Sequence, residues 1–372
     1  MYKELIISIK QKELKMAHDL NAVCNGFTGA GKFVSGIPFG TGHINDTYKV
    51  ETDKNTLIVQ RVNTSIFQQP EELMDNFVRV TSHIGQKLAG SGSADKTLSP
   101  LRNAEGKPFF RDADGNFWRS YIFVDKARTY DIIENDTQAF EAAAAFGRFQ
   151  NYLADMEGRL FETIPNFHHT VSRLEALKAA VAADKVGRLK EVSQEVDFIM
   201  AREKDCGLLL DLQAKGEIVE RTTHNDTKLN NVLIDDATGK GICVIDLDTV
   251  MPGLPHYDFG DMVRTGTSPA AEDEKDLSKV RMRFEMFEAL LRGYLSAAGK
   301  FLNPLEKSLL PFSGKLITME IGIRFLTDYL SGDVYFKVKR PEHNLDRCRT
   351  QLKLVASIEE QFDAMRKLTD SL

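Results

Sequence analysis

Between Thr223 and Asp248 the chain reads THNDTKLNNVLIDDATGKGICVIDLD, and a His-x-Asp-x-x-x-x-Asn pattern there sets His224, Asp226 and Asn231 at fixed intervals. Asn231 follows Asp226 by five positions and Asp246 follows it by 20. An aspartate in such a loop accepts or orients the proton of an attacking hydroxyl. An asparagine carbonyl and a second carboxylate are hard oxygen donors, suited to Mg²⁺ held against a triphosphate. The constellation points to phosphoryl transfer from ATP, with Asp226 as base and Asn231 and Asp246 as metal ligands. Lys228 stands two residues after the base, where an ammonium can neutralise charge on the transferring group. His224 reads as a framework residue. Asp248 would share a strand face with Asp246 if the strand runs on, as a second metal contact or a support for the first.

Elements must hold these groups together. The runs NVLID and ICVIDLD flank ATGKG, a β-hairpin pattern that would bring Asp246 back beside Asn231. A literal Asp-Phe-Gly at Asp258 to Gly260 competes with Asp246 for the metal role, but it follows the turn-rich MPGLPHYD and should open a helix. Asp258 or Asp261 is expected to cap that helix and brace the loop.

Upstream, residues 3 to 23 form an amphipathic helix pattern, followed by six glycines from Gly26 to Gly42. Gly40 and Gly42 could bring backbone N–H groups against phosphates. Two β-like runs follow, Thr47 to Thr52 and Thr56 to Val62, separated by Asp53-Lys54-Asn55. Arg61 on the second run is the candidate phosphate-gripping cation, with Lys49 on the first as its rival. A helix from Pro70 to Leu88 opens with Pro70, Glu71 and Glu72, as the helix dipole prefers. Glu71, Glu72 and Asp75 could each meet the cation. NFWRSYIFVD is a strand whose backbone around Ile122 to Val124 could pair with the adenine edge, and Trp118 within it is read as core. From Asp136 onward the pattern is helical, with later helices at Leu277 to Ala298, Pro304 to Leu330 and Asp346 to Leu368. The fold class is α+β: a bilobal, protein-kinase-like arrangement with a β-rich nucleotide-binding lobe over 1–130 and a helical catalytic and substrate-binding lobe over 131–372.

With 372 residues, 42% of them hydrophobic, the chain can bury sizeable cores. A net charge of −6 without a basic stripe argues against nucleic acid as partner. The N-terminal apolar run, Leu5 to Ile9, is too short for a signal peptide or a membrane span, so a cytoplasmic location is expected. Cys24, Cys206, Cys243 and Cys348 lie far apart with no CxxC, so they are expected to be reduced and structural.

The stretches HNDTKLNNVLID, VIDLDTVMPG and YDFGDMVR resemble the aminoglycoside phosphotransferase and choline kinase superfamily. GTGHINDTY, LIVQRVN, WRSYIFVD and RFLTDYLSGDVYFKV resemble its N-acetylhexosamine 1-kinase branch, so the likeness runs from about Phe39 to Val338. The resemblance implies transfer of the γ-phosphate of ATP to the anomeric hydroxyl of N-acetylglucosamine or N-acetylgalactosamine. It makes Asp226 the base, Asn231 and Asp246 the metal ligands, and Arg324 and Tyr335 candidate sugar contacts. An Arg fork and a Tyr hydroxyl suit hydroxyl and acetamide oxygens, although RFLTDYL also reads as one face of a packed helix. His-Asn-Asp stands where a protein kinase has His-Arg-Asp, so no phosphorylation switch is expected. The alternatives are the same chemistry on another sugar, an amino alcohol or an aminoglycoside, or a kinase-like binding protein without turnover.

Overall fold

The computed structural model describes residues 18–40 and 44–372. Most of the helix expected over 3 to 23, and Gly42, lie outside the described residues; α1 is Leu20–Asn25. The chain divides into two compact units, Met1–Ser82 with Leu98–Asp125, and His83–Thr97 with Lys126–Leu372.

The first unit is built on an antiparallel sheet in the order β1-β2-β3-β5-β4. Its strands are β1 (Phe33–Pro38), β2 (Asp46–Thr52), β3 (Thr56–Arg61), β4 (Phe110–Arg111) and β5 (Phe117–Ile122). The β2–β3 turn closes because Thr52 Oγ1 accepts the N–H groups of Lys54 and Asn55 at 3.3 and 2.9 Å. In the register Lys49 faces Ile58 and Asp46 faces Arg61, while Gln60 faces Arg119 and Arg61 faces Trp118. Residues two apart, and partners across strands, share a face. Leu57, Val59, Arg61 and Trp118 therefore lie on one face, and Lys49, Ile58, Gln60 and Arg119 on the other.

Each face has its own cover. On the first, Val50, Leu57, Val59 and Trp118 pack with Val23, Cys24, Phe27 and Ala30. Trp118 is a core residue whose indole N–H donates to Asp112 Oδ2 at 2.8 Å. On the second, Phe77 of α2 (Pro70–Leu88) lies 5.9 Å from the Tyr121 ring, with the Arg119 guanidinium 5.1 Å above it. Helix α2 forms where the sequence places it because Leu73, Met74, Phe77, Val80 and Ile84 recur at helical spacing and are all buried.

In the second unit, β6 (Ala127–Arg128), β8 (Val232–Asp235) and β9 (Gly241–Val244) pair in the order β6-β8-β9, and β7 (Arg221–Thr223) pairs with β10 (Met251–Gly253). The helices are α3 (Asp136–Leu153), α4 (Thr170–Ala183), α5 (Ser193–Met200), α6 (Leu208–Ala214), α7 (Pro255–Thr267), α8 (Phe284–Ala298), α9 (Pro304–Ser308), α10 (Leu310–Ser331), α11 (His343–Glu360) and α12 (Phe362–Asp370). Helices α3 and α8 cross closely: a Cβ on Gly293 would sit 2.2 Å from the Phe140 carbonyl oxygen, and one on Gly147 would sit 2.8 Å from that of Tyr294. A second core joins Leu174, Ile199, Leu209, Leu316, Ile323 and Leu352 from α4, α5, α6, α10 and α11.

Residues 83–97, which the sequence pattern left in the N-terminal lobe, belong to this unit. Lys96 donates its N–H to the Ile242 carbonyl at 2.7 Å, and Asp95 holds Arg148 at 2.9 Å and Tyr152 at 2.8 Å. Three expected helices break. The helix from Pro304 to Leu330 splits into α9 and α10 beside Pro311, which lacks the N–H a continuous helix requires. Residues 277–279 are a single 3₁₀ turn ahead of α8, and the C-terminal helix is interrupted at Gln361. All four cysteines are free and buried. Among the described residues no helix is long and apolar enough to cross a membrane.

Candidate active site

The loop after β7 is held almost atom by atom. Asn225 takes a left-handed conformation, φ 65°, which costs a non-glycine residue on the order of 1–3 kcal/mol. Its surroundings hold it there. Asn225 N–H donates to Asp258 Oδ1 at 2.7 Å and its Nδ2 to the Thr249 carbonyl at 2.9 Å. Its own carbonyl lies 3.0 Å from His168 Nε2. Asp258 Oδ2 accepts the His224 N–H at 2.9 Å, and Gln150 donates to the same oxygen. Burial pushes the Asp258 carboxyl up, against the pull of His224 and these donors. Asp258 thus sits fully buried in the first turn of α7 and braces the loop. The expected cap does not form: the N-cap of α7 is Leu254, and Asp261 pairs with Arg264 at 2.8 Å.

His224 is framework too. Its Nε2 meets the Ile245 carbonyl at 2.9 Å, and its ring packs against Phe146 and Phe149 at 5.3 and 5.9 Å. The Asp226 side chain is 27% exposed, and Lys228 Nζ lies 2.7 Å from its Oδ1. Burial alone would raise the Asp226 carboxyl; the Lys228 ammonium outweighs it and holds the group below the usual range. Asp226 is therefore ionised at neutral pH, suited to orienting a hydroxyl. Arg264, also buried, adds its field to Asp226 and is a residue the spacing gave no reason to single out.

Asn231 Nδ2 donates to the Asp226 carbonyl at 2.8 Å. A backbone carbonyl can only accept, so the amide orientation is fixed and Asn231 Oδ1 is turned away from Asp226. The Ile245 N–H donates to the Asn231 carbonyl at 2.9 Å, which brings Asp246 alongside. Strand β9 ends at Val244, and Asp246 is left-handed, φ 58°, at the head of a 3₁₀ turn over Leu247–Thr249. The expected shared strand face of Asp246 and Asp248 therefore does not exist. Asp248 is 4% exposed within the turn, and its carbonyl accepts the Thr163 hydroxyl at 2.8 Å. An amide oxygen and a carboxylate, side by side on rigid turns, fit Mg²⁺ as a donor set.

In the first unit, Gly40 is exposed with φ 81°, open backbone of the kind a phosphate can approach. Arg61 lies on the face away from α2, ion-paired to Asp46 with Nε at 2.7 Å, and also donates to Asn116. The α2 acids pair elsewhere, Glu71 with Arg111 at 3.2 Å and Asp75 with Arg79 at 3.7 Å. Lys49 is on the α2 face, its Nζ 4.4 Å from the Phe123 ring centroid. Ile122 donates its N–H to the Ser99 carbonyl at 3.0 Å and Phe123 donates its own to Thr56 at 2.9 Å, which leaves Val124 as the position with a backbone N–H for an adenine edge.

Arg324 and Tyr335 do meet. The Arg324 guanidinium is 5.6, 6.0 and 5.6 Å from the rings of Phe167, Tyr335 and Phe336. Asp328, one turn along α10, gathers the loop that carries Tyr335 by accepting the N–H groups of Val334, Tyr335 and Phe336 at 2.9, 2.8 and 2.9 Å. Burial, then the Arg324 guanidinium, hold Arg173 below its usual value, so two arginines share this corner. Arg173 Nε is buried without a hydrogen-bond partner.

Residues 35–299 match the phosphotransferase enzyme family profile. Among solved structures, the chain is similar to an aminoglycoside phosphotransferase from Alicyclobacillus acidocaldarius, at 11% identity and TM-score 0.61, covering 94% of this chain and 96% of that one. A choline/ethanolamine kinase family protein from Mesorhizobium loti matches at 13% identity and TM-score 0.55, covering 94% and 98%. A microcompartment-associated aminopropanol kinase matches at 17% and 0.54, covering 89% and 93%. The fold is the bilobal, kinase-like α+β arrangement these proteins share.

Proposed function

The chain belongs to the phosphotransferase enzyme family, and from that premise we propose that it transfers the γ-phosphoryl group of ATP to the anomeric hydroxyl of an N-acetylhexosamine. Asp226 orients the acceptor hydroxyl and takes its proton as the O–P bond forms. Lys228, already against Asp226, neutralises charge on the transferring group. Asn231 and Asp246 would hold Mg²⁺, which when bound offsets the charge of the phosphates. Lys49 replaces Arg61 as the small-unit cation, and Gly40 and Val124 offer backbone to the nucleotide.

The observation that carries the choice of acceptor is the Arg324 corner. Its guanidinium meets rings rather than hydrogen-bond acceptors among the described residues, with Arg173 adding a second positive charge. A neutral polyhydroxy acceptor supplies oxygens to such donors and an apolar sugar face to Tyr335 and Phe336. Cationic acceptors, such as the amino alcohols and aminoglycosides that the similar structures' names describe, would be repelled there.

The test is an ATP-consumption screen with N-acetylglucosamine, N-acetylgalactosamine, galactose, choline, aminopropanol and kanamycin, followed by phosphorus NMR of the product. An anomeric phosphate on an N-acetylhexosamine is the expected result; turnover confined to choline or kanamycin would overturn it. Asp226→Asn should lower kcat by on the order of 10²–10⁴-fold while ATP binding by calorimetry persists.

A further inference from the structure

We propose that His168, doubly protonated, is a positioning residue that ties the acceptor-binding helix α10 to the catalytic loop. Each ring nitrogen faces an oxygen that accepts. Nδ1 lies 2.8 Å from Glu320 Oε1, and Nε2 lies 3.0 Å from the Asn225 carbonyl oxygen. A carbonyl cannot donate, so Nε2 carries a proton. The other Glu320 oxygen accepts the Thr170 hydroxyl, and against its burial the neighbouring His168 and Thr170 hold the carboxyl below its ordinary range; an ionised Glu320 only accepts, so Nδ1 carries a proton as well. A neutral imidazole has one N–H and would set a lone pair against one of the two oxygens. His168 is 7% exposed and Glu320 is fully buried, so water does not screen the pair.

The two ends of this bridge are what give it a role. Asn225 is the left-handed residue immediately before Asp226, and its carbonyl belongs to the peptide group from which Asp226 departs. Glu320 lies one helical turn before Arg324 on the same helix. The chain Asn225, His168, Glu320, Arg324 therefore connects the base to the acceptor corner within one unit. The charged and titratable groups facing it are Glu320 and Arg324 from α10, Asp261 and Tyr257 from α7, and Arg173 from α4. Burial disfavours the imidazolium, but Glu320 and Asp261 outweigh it and raise the group above its ordinary value.

The charge should be lost as pH rises above the ordinary histidine range, and with it the fixed orientation of Asp226. Small misplacement of a reacting group costs on the order of 10²-fold in rate. The proposal borrows from the function above that Asp226 acts on the acceptor hydroxyl and that α10 carries the acceptor corner.

The experiment pairs kinetics with a readout independent of turnover. With ATP and N-acetylglucosamine, wild-type kcat should fall through an alkaline limb. His168→Gln should lower kcat by roughly 10²-fold, remove that limb and leave acceptor KM unchanged. Glu320→Gln should move the limb to lower pH. Nitrogen NMR of the wild-type imidazole should show both nitrogens protonated at pH 6, and the amide protection factors across residues 224–231, referred to the intrinsic exchange rate at each pH, should fall between pH 6 and 9. If no acceptor turns over, the function above fails and the NMR and exchange measurements still decide. A neutral imidazole at pH 6, or a His168→Gln enzyme with wild-type kcat and limb, would overturn the proposal.

Discussion

Arg61 and Lys49 lie on neighbouring strands of one sheet and on opposite faces of it, and a nucleotide phosphate can use only one face. Arg61 shares its face with Leu57, Val59 and Trp118 and is neutralised by Asp46. Lys49 stands opposite Ile58 on the face α2 covers, its side chain 30% exposed and its Nζ 3.7 Å from Glu51 Oε1. Lys49→Met should therefore lower kcat/KM for ATP by on the order of 10²-fold, whereas Arg61→Met should leave it near wild type. Steady-state kinetics with varied ATP reads both, and the opposite pattern would restore Arg61. Both candidate cations were legible in the sequence, Arg61 in LIVQRVN and Lys49 on the strand before it, but the face each takes was not. A one-residue change of register sends every side chain to the other face, and only the cross-strand partners set the register. Asp226 and Asn231 were legible for the opposite reason: their geometry is set locally, by a short loop whose spacing is the signal.

Elements decide what the acceptor meets. Asp328 sits two turns after Glu320 on α10, and its carboxylate gathers three successive backbone N–H groups and the Asn344 amide. In the proposed function it would act on the acceptor only by shaping the loop that carries Tyr335, which is 66% exposed. Asp328→Ala should raise acceptor KM several-fold, leaving ATP KM unchanged, since several charge-assisted hydrogen bonds are lost far from the nucleotide. Equal changes in both KM values would place Asp328 in general stability instead. The helices were legible from their apolar spacing, and α2 matches the expected Pro70 to Leu88. The breaks at Leu309 and Gln361 were not, because helical spacing continues through them. The short left-handed step at Asp246 was hidden similarly: ICVIDLD has the composition of a strand throughout, and tertiary contacts bend its end into a turn.

For the whole molecule, two buried histidines bound the pH range of stability from opposite sides. His256 is fully buried, its Nε2 2.9 Å from the Glu306 carbonyl and its Nδ1 without a hydrogen-bond partner. Burial lowers it from 6.5 to about 4. Between those values the unfolded chain binds a proton that the folded chain refuses, so stability is complete above 6.5 and declines as pH falls to about 4. A shift of that size corresponds to roughly 3 kcal/mol. His168 has the other sign: raised by its carboxylate neighbours, its contribution is complete below 6.5 and is lost as pH rises through its folded value. Urea unfolding at pH 7 and pH 4.5 should thus show a fall of a few kcal/mol in the wild type, beyond what exposed groups contribute. His256→Gln keeps an amide donor for the Glu306 carbonyl and removes the titrating group. That variant should be less stable at pH 7, through imperfect packing, but should lose less on acidification. An unchanged pH slope in His256→Gln would assign the acid sensitivity to another group such as His343, which burial also holds below its ordinary value, because Glu306 and Glu320 lose their contribution only below the ordinary carboxylate range.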